Sequence, residues 1–432
     1  MPGRRVSSET RFCTRAIRPL VAVTVVGVLV GAGLGCTTDK DDGASAEHGS
    51  SAERSSAGEG SATTSSTVPR PSVEVLAAGD DGFYDVPSPL PRGTHGDLVR
   101  IQPINGAPEG VTWQRIMYLS QTTAGDPTVE TGVVTLPAGR PPAAGWPLFA
   151  HAHGSTGTAD DCAPSVSLSG SRTYALEIQL LSAWVPTKGI AVVSADYEGL
   201  GGPGRHPMLM GTSAGRSVLD SVRAARQVPD TKFTEEVGIV GYSQGGHAAI
   251  WANQLAAEWT PELRIVGVMA GAPAADLIDA IRTQGDGAAA LLAAAVATVD
   301  PNLDLNNVLT DAGLATAAEL DRSCDNEVLP EGPLTKVDIT TTQPWADALR
   351  ANDPGGAPGT APVLIIHSEQ DETVAPQVSA DLANRLCAAG GVVERRTLDS
   401  GSHVAAAIPA YEQGIKWILD LMAGGRPSSM CS

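Results

Sequence analysis

Gly241-Tyr242-Ser243-Gln244-Gly245 sets a serine between two glycines, a spacing suited to nucleophilic catalysis by a hydroxyl. Val237, Ile239 and Val240 just before it fit a buried parallel strand, and the alanine-rich stretch after it favours a helix. A strand-to-helix turn this sharp strains the serine and lifts its side chain above the sheet, so Gly241, Gly245 and Gly246 must stay small. Serine attacks only when a base takes its proton, and the base needs a carboxylate to hold its tautomer. In the nucleophile-elbow arrangement the chain order is Ser, then Asp or Glu, then His. Asp371 follows the apolar run Pro362 to His367 and fits the acid better than its neighbours Glu369 and Glu372. Of the eight histidines only His403 comes after that run, in Ser400-Gly401-Ser402-His403. The constellation expected is therefore Ser243, Asp371 and His403.

Ester chemistry also needs donors for the oxyanion. The N–H of Gln244 opens a helix and has no intrahelical partner, so it is the first candidate. The second is expected in His153-Gly154-Ser155-Thr156-Gly157, the loop after a buried strand. Thr156 is the first choice there, with Ser155 and Gly157 as alternatives. A second match, Gly211-Thr212-Ser213-Ala214-Gly215, follows Pro207 and only three apolar residues, too few for a central strand. Ser213 is read instead as a cap for a helix Gly215 to Arg226.

These side chains need a scaffold. Strands are expected at Leu98 to Ile104, Val111 to Thr122, Gly132 to Leu136, Trp146 to Ala152, Gly189 to Tyr197, Ile265 to Ala270, Pro362 to His367 and Gly391 to Leu398. With helices between the later ones, the alternation gives a mostly parallel sheet flanked by helices, an α/β-hydrolase fold. From about 275 to 360 the alternation lapses, and a helical cap inserted after strand 6 is expected. Its apolar stretch Gly287 to Val299 either lines an acyl slot or packs on the core. The Gly-rich turn Gly199 to Gly204 suggests a dinucleotide site only weakly, since no acidic residue ends a following strand. His151 and His153 alternate on a strand without a third ligand and are read as structural, as is His247 one turn into the elbow helix. No metal and no cofactor is expected.

With 48 acidic against 29 basic residues, the net charge of −19 argues against nucleic acid or an anionic membrane as partner. Arg4, Arg5, Arg11, Arg15 and Arg18 precede an apolar run from Leu20 to Leu34. Residues 1–36 are thus read as an export signal. Cys36 stands where a bacterial lipoprotein is cleaved and acylated, so a membrane tether through lipidated Cys36 is expected alongside plain secretion. Residues 37–70, rich in Ser, Gly, Ala and Thr, are expected to form a disordered tether, and residues 71–432 the catalytic domain.

Several segments resemble the secretory lipase family of α/β-hydrolases, the Candida lipase A type with its actinobacterial branch. They are GDLVR (96–100), HGSTGTADDCAPS (153–165), ADYEGLGGPGRHP (195–207), VLDSVRAARQV (218–228), GYSQGGHAAIWA (241–252), TPEL (260–263) and SEQDETV (368–374). The resemblance implies hydrolysis of triacylglycerols or simpler esters, a helical cap, Ser243, Asp371 and His403 as triad, and Gln244 as oxyanion donor. The family tends to bond the cysteine of its CAPS motif to the cap. With Cys13 in the signal and Cys36 lipidated, four of the six cysteines allow three pairings. We expect Cys162–Cys324 and Cys387–Cys431. The same triad supports acyl transfer to an envelope acceptor, and a catalytically silent surface binding protein is the non-enzymatic alternative.

Overall fold

In a computed structural model, residues 69–168, 175–324 and 332–431 are described, all within the compact unit Ser65–Ser432. The proposed signal, most of the tether and Cys36 lie outside the described residues. Ten strands form one sheet: β1 (Glu74–Val75), β2 (Leu98–Ile104), β3 (Val111–Gln121), β4 (Pro127–Pro137), β5 (Trp146–Ala152), β6 (Ala191–Ala195), β7 (Phe233–Tyr242), β8 (Arg264–Gly271), β9 (Val363–Ser368) and β10 (Val393–Leu398). Their spatial order is β1-β2-β3-β4-β6-β5-β7-β8-β9-β10. From β6 to β10 every neighbour is parallel, while β2, β3, β4 and β6 pair antiparallel.

The parallel strands need crossovers, and helices supply them on both faces. The helices are α1 (Pro164–Ser167), α2 (Leu176–Lys188), α3 (Gly211–Ala225), α4 (Gln244–Trp259), α5 (Leu277–Gln284), α6 (Asp286–Val299), α7 (Asp311–Leu320), α8 (Trp345–Ala351), α9 (Pro376–Ala388) and α10 (Ala407–Met422). The two-residue period of the strands divides the core. Leu148, Ala150, Ile239 and Ile365 pack with α3, α4 and α9, whereas Phe149, Val240, Leu364 and Ile366 pack with α2 and α10.

Helices α5 to α8 lie between β8 and β9 and make the expected insertion. They have their own apolar cluster, into which Met208, Leu209 and Met210 also pack. Cys162–Cys324 and Cys387–Cys431 are both disulfides, with Cα atoms 5.5 and 5.2 Å apart. The first fastens the residues after α7 to the loop after β5. The second fastens the carboxyl-terminal residues to α9.

Two expectations change. Helix α3 begins at Gly211, not Gly215, and Met210 is its N-cap. The cap side chain comes from far away: Asn352 Oδ1 accepts the Gly211 N–H at 2.8 Å. Ser213 therefore caps nothing; it sits inside α3, buried, and donates to Glu198 Oε2 at 2.5 Å. The strand expected from Gly189 is shorter, because α2 runs to Lys188 and Gly189 takes the left-handed conformation at φ 63° that ends it.

Candidate active site

Ser243 stands between the last residue of β7 and the first of α4, with φ 58° and ψ −120°. No L-residue adopts that conformation cheaply, so packing on every side must hold it. The Ser243 N–H donates to the Gly271 carbonyl at 2.9 Å, and its carbonyl accepts the His247 N–H at 3.2 Å. The glycines leave the room: a Cβ on Gly245 would collide with the Ala152 carbonyl, and one on Gly241 with the Gly245 backbone. The expected elbow is present in full.

His403 comes from the loop between β10 and α10, and its Nε2 lies 3.0 Å from Ser243 Oγ. Its Nδ1 donates to Asp371 Oδ2 at 2.7 Å. Residues remote in sequence are thus joined in one hydrogen-bonded chain at the carboxyl edge of the sheet. Asp371 Oδ1 accepts the N–H groups of Thr373 at 2.9 Å and Val374 at 2.8 Å. Burial pushes the Asp371 carboxyl up, but bonds from His367, His403 and those two amides outweigh it and hold the group well below the ordinary carboxylate range. It is therefore ionised at neutral pH.

Three residues that sequence patterns did not single out complete this arrangement. His367 Nε2 donates to Asp371 Oδ2 at 3.1 Å. Tyr242 donates its hydroxyl to the His403 carbonyl at 2.7 Å. Glu372, weighed only as a rival acid, instead accepts the His403 backbone N–H at 2.9 Å. No periodicity marks such contacts: those of Tyr242 and Glu372 join segments distant in the chain, and that of His367 spans the turn that ends β9.

Gln244, as the first residue of α4, presents an N–H without an intrahelical acceptor. Its side chain is fixed. His206 Nδ1 donates to the Glu198 carbonyl at 2.8 Å, and burial pushes His206 down to about 4, so the ring is neutral. Its bare Nε2 accepts the Gln244 amide at 3.0 Å, while Gln244 Oε1 is buried with no partner. On the other side of the serine lies the loop after β5. Gly154 N–H is engaged by Glu177 Oε2 at 3.1 Å, and Gly157, at φ 120°, packs against Cys162 and Cys324. Ser155 and Thr156 remain to line the cleft beside Ser243 and Gln244. The Thr156 hydroxyl is buried there without a partner.

The cleft has a volume of about 570 Å³. Its walls are largely apolar, with Leu180, Met208, Leu209 and Leu291 among them, and Asp276 and Asp279 add carboxylates. Helix α6 does both things its apolar sequence suggested: Ala288 and Leu291 face the cleft, while Ala290, Ala293 and Val296 fill the core of the insertion. A second hollow of about 760 Å³, lined by Tyr84, Leu90, Pro127 and Pro203, contains none of these groups. His151, His153 and His247 are buried and hydrogen-bonded away from Ser243. Among the described residues no cluster of His, Cys, Asp or Glu is arranged to hold a metal.

Comparison with known proteins finds relatives that cover most of the chain. Lipase A of Moesziomyces aphidis is 25% identical over 410 residues, covering 86% of this chain and 87% of its own. A Mycobacterium tuberculosis protein described as a probable inactive lipase is 28% identical over 383 residues, covering 82% and 84%. The crystal structure of Candida antarctica lipase A superposes with a TM-score of 0.71 at 22% identity, covering 81% of this chain and 87% of that one. The rice cell wall degrading esterase LipA of Xanthomonas oryzae gives 0.63 at 19% identity, covering 77% and 100%. These two share the α/β-hydrolase fold with this protein. The secretory lipase family model matches residues 166–429, from α1 to beyond α10, and the chain belongs to the secretory lipase family.

Proposed function

We propose that the protein is an exported serine ester hydrolase, a lipase or carboxylesterase, working through an acyl-enzyme. The observation that carries this is the unbroken relay from Ser243 Oγ to His403 at 3.0 Å and on to Asp371 at 2.7 Å, opening on an apolar cleft. His403 Nε2 takes the Ser243 proton as Oγ attacks the ester carbonyl. The imidazolium formed is stabilised by ionised Asp371. The oxyanion is received by the N–H of Gln244 and by the loop after β5, where Thr156 is the preferred second donor. His403 then returns its proton to the leaving alkoxide. Water, deprotonated by the same nitrogen, releases the acid.

The apolar walls suit an acyl chain, so neutral acyl esters and lipids are the substrate class. The mycobacterial relative is described as a probable inactive lipase; the intact relay here supports turnover instead. Two disulfides and the family suit an oxidising compartment, and residues 1–36 with Cys36 supply the signal and the tether.

The test is a chain-length series of p-nitrophenyl esters with the full chain, alone and with an alcohol acceptor present. Hydrolysis is expected, together with fluorophosphonate labelling of Ser243, and both are abolished in Ser243→Ala. Labelling-negative, inactive protein would leave a binding role. Preferential acyl passage to the alcohol would make it an acyltransferase. Mass spectrometry of the mature protein, with Cys36→Ala as control, reads the lipid anchor.

A further inference from the structure

The geometry points to Glu177 as the positioning residue that sets the loop after β5 for oxyanion binding, an inference that rests on the hydrolase reading above. Three donors from three elements converge on its Oε2. They are the Gly154 N–H at 3.1 Å from the loop, His151 Nε2 at 2.9 Å from β5, and the Tyr411 hydroxyl at 2.8 Å from α10. His151 is itself held from behind, its Nδ1 lying 2.8 Å from Ser194 Oγ on β6. The node therefore ties the loop on one side of Ser243 to the helix that follows His403 on the other.

Gly154 is the last residue before Ser155 and Thr156, the two candidates that line the cleft. Fixing its amide fixes the peptide planes that follow. Glycine lets the carboxylate approach this closely, since a Cβ would lie 2.9 Å from Glu177 Oε1 and push it away. The acceptor is a carboxylate and not a carboxylic acid. Burial favours the neutral form, but the bond from His151, its charge, and the bond from Tyr411 together bring Glu177 below its ordinary value. Charge-assisted bonds of this kind are shorter and stronger than neutral ones. The Glu177 side chain is 23% exposed and lines the same cleft as Ser243, so it holds the loop from within the site. An oxyanion donor misplaced by a fraction of an ångström loses much of its effect, which rises only in the transition state.

The test compares Glu177→Ala, Glu177→Gln and Tyr411→Phe in the full chain, measuring kcat, KM and amide exchange of the peptide carrying residues 153–157. Expected for Glu177→Ala are a kcat roughly tenfold lower or more, KM within about twofold, and exchange at that peptide roughly tenfold faster, with β7 and β9 unchanged. Glu177→Gln, which keeps an acceptor without the charge, recovers part of both losses. Tyr411→Phe keeps the Gly154 contact and leaves loop exchange near wild type. Should Glu177→Ala fail to fold, the Gln variant carries the same comparison. Wild-type kcat and wild-type loop exchange in the Glu177 variants would overturn the inference, as would a loss confined to KM. An inactive wild type would overturn the hydrolase reading and, with it, an oxyanion role; loop exchange would then report only whether Glu177 anchors the loop.

Discussion

His367 and Asp371 are bonded to each other at 3.1 Å, across the turn that ends β9. The same His367 Nε2 also lies 3.0 Å from the Val374 carbonyl. Both neighbours accept, so that nitrogen carries a proton shared between them, while Nδ1 lies 2.6 Å from Ser379 Oγ. A ring held at both nitrogens thus steadies the carboxylate that steadies His403.

Removing that donor should weaken the relay without abolishing it, because Asp371 keeps His403 and the amides of Thr373 and Val374. His367→Ala is expected to lower kcat roughly tenfold, against roughly 10⁴-fold for an orienting carboxylate lost outright. It should also lower stability by about 2 kcal/mol, for a buried group removed and an acceptor left short. Steady-state kinetics and urea unfolding read the two effects separately. Full wild-type kcat in a folded variant would detach His367 from the relay.

Glu372 acts on the backbone of the base rather than on its ring, accepting the His403 N–H at 2.9 Å. Tyr242 holds the carbonyl of the same residue at 2.7 Å. With one of two backbone restraints removed, Glu372→Ala should reduce kcat about three- to tenfold at nearly constant KM. Substitution of Asp371 would be far more damaging. If the two variants proved equally inactive, the backbone restraint would count for as much as the relay carboxylate, and the ranking argued here would fail.

These contacts mark where sequence reading stops. The apolar runs of β5, β7 and β9 are legible because buried parallel strands exclude polar residues, and with them come the turn positions of Ser243 and Asp371. Strand β4 is longer than its pattern shows, running Pro127–Pro137. Its early residues Thr128, Glu130 and Thr131 are polar yet buried, with partners such as Asp196 for Thr131. Nothing local predicts a carboxylate in a core. Helix α3 likewise begins at residues of poor helix propensity because Asn352, over a hundred positions away, takes the Gly211 N–H. Glu177 escaped notice for the same reason: its three donors come from the loop after β5, from β5 itself and from α10.

The Cys162–Cys324 disulfide closes a span of 162 residues and stands against Gly157 of the loop after β5. Closing so long a span restricts the unfolded chain strongly. The double variant Cys162→Ala/Cys324→Ala should lose about 2–4 kcal/mol, and kcat should fall because the loop loses a wall. Loss of Cys387–Cys431, which holds only the terminal residues to α9, should leave kcat within about twofold. A thermal melt and an esterase assay on both double variants check the contrast; equal losses of activity would deny the first disulfide any special place.

Glu130 makes the stability of the sheet depend on alkali. Burial first, then the nearby Asp220 and Glu198 carboxylates, push its carboxyl up to about 8. Such a group is neutral in the folded protein and ionised in the unfolded chain between its ordinary value and about 8. The stability it contributes is therefore complete in acid and lost as pH rises through that window. Asp353, pushed up to about 7 by burial, works in the same direction. His153, His206 and His247, each pushed down to about 4 by burial, oppose it only in acid, where their unfolded forms take up protons. Above about pH 6.5 the carboxyl groups therefore dominate, and the melting temperature should fall by roughly 5 °C on going to pH 8.5. Glu130→Gln, neutral at every pH and similar in shape, should flatten that slope and melt higher than wild type at pH 8.5. A variant whose melting temperature tracks wild type across the range would show Glu130 ionised and paired in the folded protein, contrary to the burial that surrounds it.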